Sequence, residues 1–146
     1  VAKQFDPPSD GKAGLYIYRN TFYGGAAHTD VMVDGHCIGS SAPYVFFYEE
    51  VEGDKSYKVS TKFPWEESPD PDNDLLIKVK SGMNYFFQQY LRMIGGTGVD
   101  LVDEEQGKEE VSKLDMATKG TCGRTPPPAD LYDVQNFGRG LCGLFC

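Results

Sequence analysis

The 146-residue chain is 40% apolar and 13% aromatic, with 17 Gly and nine Pro. That is too rich for a disordered polymer and suits one core with many turns. Its 22 acidic residues against 14 basic ones leave a charge of -8, and Lys58, Lys62, Lys78 and Lys80 form no run, so neither nucleic acid nor an anionic membrane surface fits as a direct partner. No apolar run approaches the roughly 20 residues that span a bilayer. Val1 opens no signal region, and a chain that starts on it is expected to be a trimmed product.

In chain order, residues 5–12 are a Pro-Ser-Asp-Gly lead-in. Residues 13–19 then form a strand with Leu15 and Ile17 on one face and Tyr16 and Tyr18 on the other, as in a strand covered on both sides. Residues 20–29 read as a loop containing Gly24-Gly25. Strands at 30–33 and 36–39 flank Asp34-Gly35, among the strongest short-range hairpin signals because a primed turn needs positive φ. An aromatic strand follows at 44–49. Residues 57–63 alternate cleanly: Tyr57, Val59, Thr61 and Phe63 share one face, with Lys58, Ser60 and Lys62 expected toward water. Strands at 74–80, 84–92 and 99–103 complete the set. Seven to nine short strands predict an all-β, mainly antiparallel sandwich, with a small barrel as the other reading. At 108–117, Val111, Leu114 and Ala117 recur every three residues, which fits a short surface helix or a final strand. The domain is expected over 1–118, with a Gly/Pro/Cys-rich tail over 119–146 packed on it.

Candidate sites are few. Asp70, Asp72 and Asp74 alternate as in a calcium loop, but Leu75 and Ser81 stand where an EF-hand needs Gly and Glu, so a solvated turn is expected. His28 and His36 are the only histidines, and a strand separates them. Cys37 follows His36 directly, so the two side chains point to opposite faces and the histidine is badly placed as its base. Gly96-Thr97-Gly98 lacks the strand-to-helix context of a phosphate loop. No catalytic, cofactor-binding or metal-binding residue is assigned, and no cofactor is expected. Tyr16, Tyr18, Phe46, Phe47, Tyr48, Tyr85, Phe86, Phe87 and Tyr90 read as core, or as an exposed binding strip, for which Tyr16, Tyr18 and Arg19 are the candidate surface. Arg19 is expected to pair with an acid such as Asp34 or Glu50.

Three of the four cysteines, Cys122, Cys142 and Cys146, lie in the tail, and Cys37 lies in the body. An even count favours disulfides over free thiols or a zinc site built on Cys142 and Cys146. The expected bond joins Cys122 to Cys142 or Cys146, and closing about 20 residues would remove roughly 3 kcal/mol of unfolded-state freedom. Cys37 is then a buried thiol or the partner of the leftover cysteine.

The run Ala13-Gly14-Leu15-Tyr16-Ile17-Tyr18-Arg19, then Val31-Met32-Val33-Asp34-Gly35 with Ile38-Gly39, residues 44–48, and Ser81-Gly82-Met83-Asn84-Tyr85-Phe86 together resemble the DUF2846 family over about residues 5–114. The Asp-Gly hairpin alone is similar to the PEGA surface module. The DUF2846 resemblance implies a β-sandwich exported to the bacterial envelope, periplasmic, outer-membrane-anchored or secreted, often as a lipoprotein, with no catalytic residues to carry over. Its expected partner is another envelope protein, and its only membrane contact a lipid anchor not present in this chain. The cysteine-bearing tail departs from the family pattern. The function expected is that of a non-catalytic interaction or structural module. The alternative is a metal-dependent or hydrolytic enzyme using His28, His36 or the acidic 70–74 loop.

Overall fold

Positive φ at Asp34 (50°) and Gly35 (79°) folds the chain into the hairpin of strands β2 (Thr29–Val33) and β3 (His36–Ser41), as a primed turn requires. In the computed structural model, which describes residues 4–21, 28–92, 96–120 and 122, this hairpin extends into a four-stranded antiparallel sheet. Its order is β3-β2-β5-β6, with β5 at Lys55–Lys62 and β6 at Leu75–Val79. A second sheet has the order β8-β7-β1-β4-β9, formed by β1 (Lys12–Arg19), β4 (Val45–Glu52), β7 (Asn84–Arg92), β8 (Gly96–Val102) and β9 (Asp115–Met116). There β1 runs antiparallel to β4 and parallel to β7. The two sheets do not close into a barrel, so the sandwich reading holds.

Central placement explains the composition of β1: seven of its eight residues are buried, on both faces. Ala13, Leu15 and Ile17 pack between the sheets with Val31, Val33, Phe47, Val59, Val79 and Phe87. Tyr16 and Tyr18 point the other way, into a second core with Phe46, Phe86, Val111 and Leu114. Tyr16 stacks on Phe86 with centroids 4.8 Å apart, and Phe5 of the lead-in packs on Tyr16 at 5.4 Å.

That second core is roofed by helix α1, Glu104–Val111. The Asp103 side chain caps it by accepting from the Gln106 N–H at 2.8 Å, with two glutamates in the first turn to complement the helix dipole. Gly107 brings the helix against the sheet: a Cβ there would lie 2.3 Å from Phe86 Cγ. Helix and strand were alternatives for 108–117, and both exist in succession. The helix ends at Val111 and β9 follows, with Leu114 buried between them.

One expectation for β5 needs correction. Ser60 and Lys62 do not face water: they are 1% and 7% exposed. The Lys62 ammonium donates to the Asp30 carboxylate at 3.0 Å, and both side chains are buried. A salt bridge lets a long amphipathic side chain sit where alternation alone predicts solvent.

Candidate interaction site at the open edge of the sandwich

The sandwich is open along one side, where edge strand β3 of one sheet faces β4 of the other. Residues 115–120 and 122 strap part of this opening. The Asp115 N–H donates to the Tyr44 carbonyl at 3.3 Å and the Ala117 N–H to Phe46 at 2.8 Å, which sets β9 parallel to β4. The chain then crosses to the other sheet, where the Gly120 N–H donates to the Ile38 carbonyl at 3.1 Å. Lys119 pairs with Glu49 on the way. Gly39 makes the crossing possible, because a Cβ there would meet Phe47 Cε1 at 2.8 Å and the Gly120 nitrogen at 3.2 Å. The strap is fastened by a disulfide between Cys37 and Cys122.

This corrects the expected pairing: Cys122 is bonded to Cys37 rather than to Cys142 or Cys146. The physical reason is the crossing itself, which brings the Cα atoms of Cys37 and Cys122 to 5.7 Å, within the bonding range. Cys37 is exposed rather than buried. Cys142 and Cys146 lie outside the described residues, as does the tail beyond Cys122.

Beside the strap the opening remains as a slot of about 340 Å³, lined by Val33, Asp34, His36, Ile38, Glu49, Val51 and Tyr57. Val33 and Ile38 form its apolar floor and belong to the core between the sheets. The carboxylates of Asp34 and Glu49 stand at the rim. Asp34 is held by the Lys58 N–H, which donates to its Oδ1 at 2.8 Å. The Tyr57 hydroxyl donates to the Glu52 carbonyl at 2.8 Å. Burial raises the Tyr57 pKa, and the charges of Glu52 and Asp34 raise it further.

Among the described residues, the backbone beside the slot is also left without a neighbouring strand on this side. Backbone groups alternate between the two edges of a strand, and Phe46 and Glu52 turn their carbonyls to the strap and to Tyr57. Tyr48 and Glu50 lie in the same phase between them. Among the described residues, β9 pairs with β4 only at Val45 and Phe46, so no strand covers this stretch, an open sheet edge.

The proposed interaction surface lies elsewhere. Tyr16, Tyr18 and Arg19 are 1%, 0% and 0% exposed, so an interaction surface built on these three has no side chain to present. Burial lowers the Arg19 pKa. Its two suggested partners are engaged elsewhere: Asp34 holds Lys58, and Glu50 lies opposite Gly14, accepting from the Ser9 N–H and the Tyr48 hydroxyl. Arg19 ends β1 at a polar end of the sandwich, where the Thr29 hydroxyl, the Ser41 hydroxyl and the Gln89 carbonyl oxygen bond one another at 2.8 to 3.1 Å.

His28 and His36 are both exposed and sit at opposite ends of β2. Only His36 reaches the slot. The acidic loop forms a 3-10 turn at Pro71–Asn73, in which Asp70 caps the Asp72 N–H at 3.0 Å while Asp74 faces Lys58 at 3.8 Å. Among the described residues no cluster of three or more His, Cys, Asp or Glu is placed to hold a metal ion, and no helix is long and apolar enough to cross a membrane. The slot was missed because its walls come from β2, β3, β4 and β5 and the turn between β2 and β3. The Asp-Gly turn was its one local signal.

Residues 9–100 match a family model described as "Protein of unknown function (DUF2846)". That span holds both walls of the slot, while α1, the strap and Cys122 lie beyond it. An uncharacterized protein of Haemophilus influenzae is 45% identical over 120 residues, which cover 80% of this chain and 68% of that protein. The chain belongs to the DUF2846 family.

Proposed function

We propose that the protein is a non-catalytic module exported to the bacterial cell envelope, where it binds another envelope protein. The observation that carries this reading is the Cys37–Cys122 disulfide, since such bonds form and persist in oxidising compartments and are rare in the cytosol. An acidic surface and a slot open between two sheet edges favour protein recognition over contact with nucleic acid or bare anionic lipid. The geometry supports binding more than catalysis. His28 and His36 stand apart, and in the 70–74 loop the Asp70 carboxylate serves a cap while that of Asp74 faces a lysine.

Fractionation of cells expressing the natural full-length gene tests the compartment. Recovery with periplasmic or outer-membrane markers is expected, and recovery with cytosolic markers would contradict export. A screen for stoichiometric metal and hydrolytic turnover tests the non-catalytic part. Turnover abolished by His36→Ala would replace this reading with an enzymatic one.

A further inference from the structure

The slot has the chemistry of a receptor for one particular kind of side chain. Its floor is aliphatic, from Val33, Ile38 and Val51, and Tyr57 adds an aromatic wall. Its rim carries two carboxylates, Asp34 and Glu49. An apolar cleft that ends in acids suits an amphipathic cation, because lysine and arginine bury their methylene stems while the charged head stays near water. Arginine fits better, since its planar fork meets carboxylates in two bonds and stacks on aromatic rings.

The protein already uses half of this arrangement on itself. The strap lies along β4 as a short parallel strand at Val45 and Phe46, then extends Lys119 to Glu49. Further along the same edge, Tyr48 and Glu50 carry the next backbone pairs in phase. A second extended segment can continue there in the strap's parallel direction, and a residue that bonds this backbone then directs its side chain to the face of Glu49 and Val51, at the slot.

The geometry points to the slot as the docking site for an extended segment of a partner protein, which pairs with the edge of β4 that no described strand covers and seats an arginine side chain between Asp34 and Glu49. This rests on the reading of the protein as an interaction module and names the partner's chemistry.

The test uses the intact, oxidised protein, isotope-labelled for amide NMR. It is titrated with an acetylated, amidated peptide of alternating valine and arginine, then with its valine–glutamate counterpart. The arginine peptide is expected to shift amides of residues 34–38 and 48–51 saturably, and the glutamate peptide to shift none. Glu49→Gln should weaken the arginine peptide roughly tenfold, as for an anchoring contact. Val51→Arg, which supplies the slot with a cation from the protein itself, should abolish the shifts while the rest of the spectrum is unchanged. Equal binding of both peptides, shifts on another face, or full affinity in both variants overturns the proposal. Shifts at the slot that grow with protein concentration alone would assign it to a second copy and also overturn it. Failure here leaves the export reading standing, because fractionation and the disulfide test that reading separately.

Discussion

Cys122 is bonded to Cys37 across 85 residues of sequence, and the bond fastens a segment that is hydrogen-bonded to both the Phe46 and the Ile38 carbonyl. Expectation had favoured a partner within the tail. The chain-entropy argument behind that choice in fact rewards longer loops: closing 85 residues removes about 4.5 kcal/mol of unfolded-state freedom in that model. Cys122→Ser is therefore expected to lower unfolding stability by up to about 4 kcal/mol, measured by denaturant titration. It should leave β1, β4 and β7 protected from hydrogen exchange and deprotect Ala117 and Gly120. An unchanged denaturation midpoint would show that the strap contributes nothing.

Gly107 sets two effects against each other. Replacing a mid-helix glycine with alanine ordinarily gains about 1 kcal/mol, but here the new methyl meets Phe86 Cγ at 2.3 Å with two more ring-side carbons within 2.6 Å. Overpacking of this kind costs about 1–3 kcal/mol and should win. Gly107→Ala is expected to be destabilising by up to about 2 kcal/mol net in thermal unfolding, and a stabilised variant would mean that the helix does not sit on Phe86.

The buried Lys62–Asp30 pair gives a third outcome. Lys62→Met keeps the stem but removes the ammonium from the buried Asp30 carboxylate, which should cost about 3 kcal/mol. Lys78→Met, on an exposed position of β6, should be nearly neutral. Equal effects from the two would place Lys62 at the surface, where alternation had put it.

Stability should fall at both ends of the pH scale. Burial, with help from Asp6 and Glu50, pushes the Tyr16 hydroxyl up to about 12. Burial raises Tyr18 and Tyr48 as well, reinforced by their hydrogen bonds to Glu110 and Glu50. Folded values above the ordinary tyrosine value of about 10 mean stability that is complete below that pH and lost as pH rises toward the folded values. Glu50 shifts the other way: the Ser9 N–H holds its carboxyl below the ordinary range. Its contribution is present above about pH 4.3 and lost as pH falls through the lowered value. Circular dichroism against pH, with tyrosinate absorbance, checks both. Ionisation of Tyr16, Tyr18 or Tyr48 near pH 10 in still-folded protein, read by the loss of tyrosinate absorbance in the matching Tyr→Phe variant, would contradict the alkaline half.

Much of the fold is written locally. The Asp34-Gly35 turn and the two-faced apolar run of β1 each report local surroundings, and both are met in the structure. What stayed open or was missed is tertiary. Tyr18 and Arg19 sit on a strand that could face solvent or core, and only the covering by α1 and the neighbouring strands decides for burial. Lys62 needs a partner on β2 that no periodicity displays. The helix was placed four residues late because Val111, Leu114 and Ala117 mimic one face, whereas the capping signal, Asp103 followed by Gln106, marks its true start. The slot had even less to show, since its acids and apolar floor are brought together by packing two sheets.

The central claim, an oxidised module of the envelope, is tested most directly by mapping disulfides in the protein purified from its native cells with free thiols blocked before lysis. The account predicts a proteolytic peptide pair linked through Cys37 and Cys122 that separates on reduction. Recovery of both cysteines in alkylated, unlinked peptides would contradict the strap's fastening, and with it the argument for export.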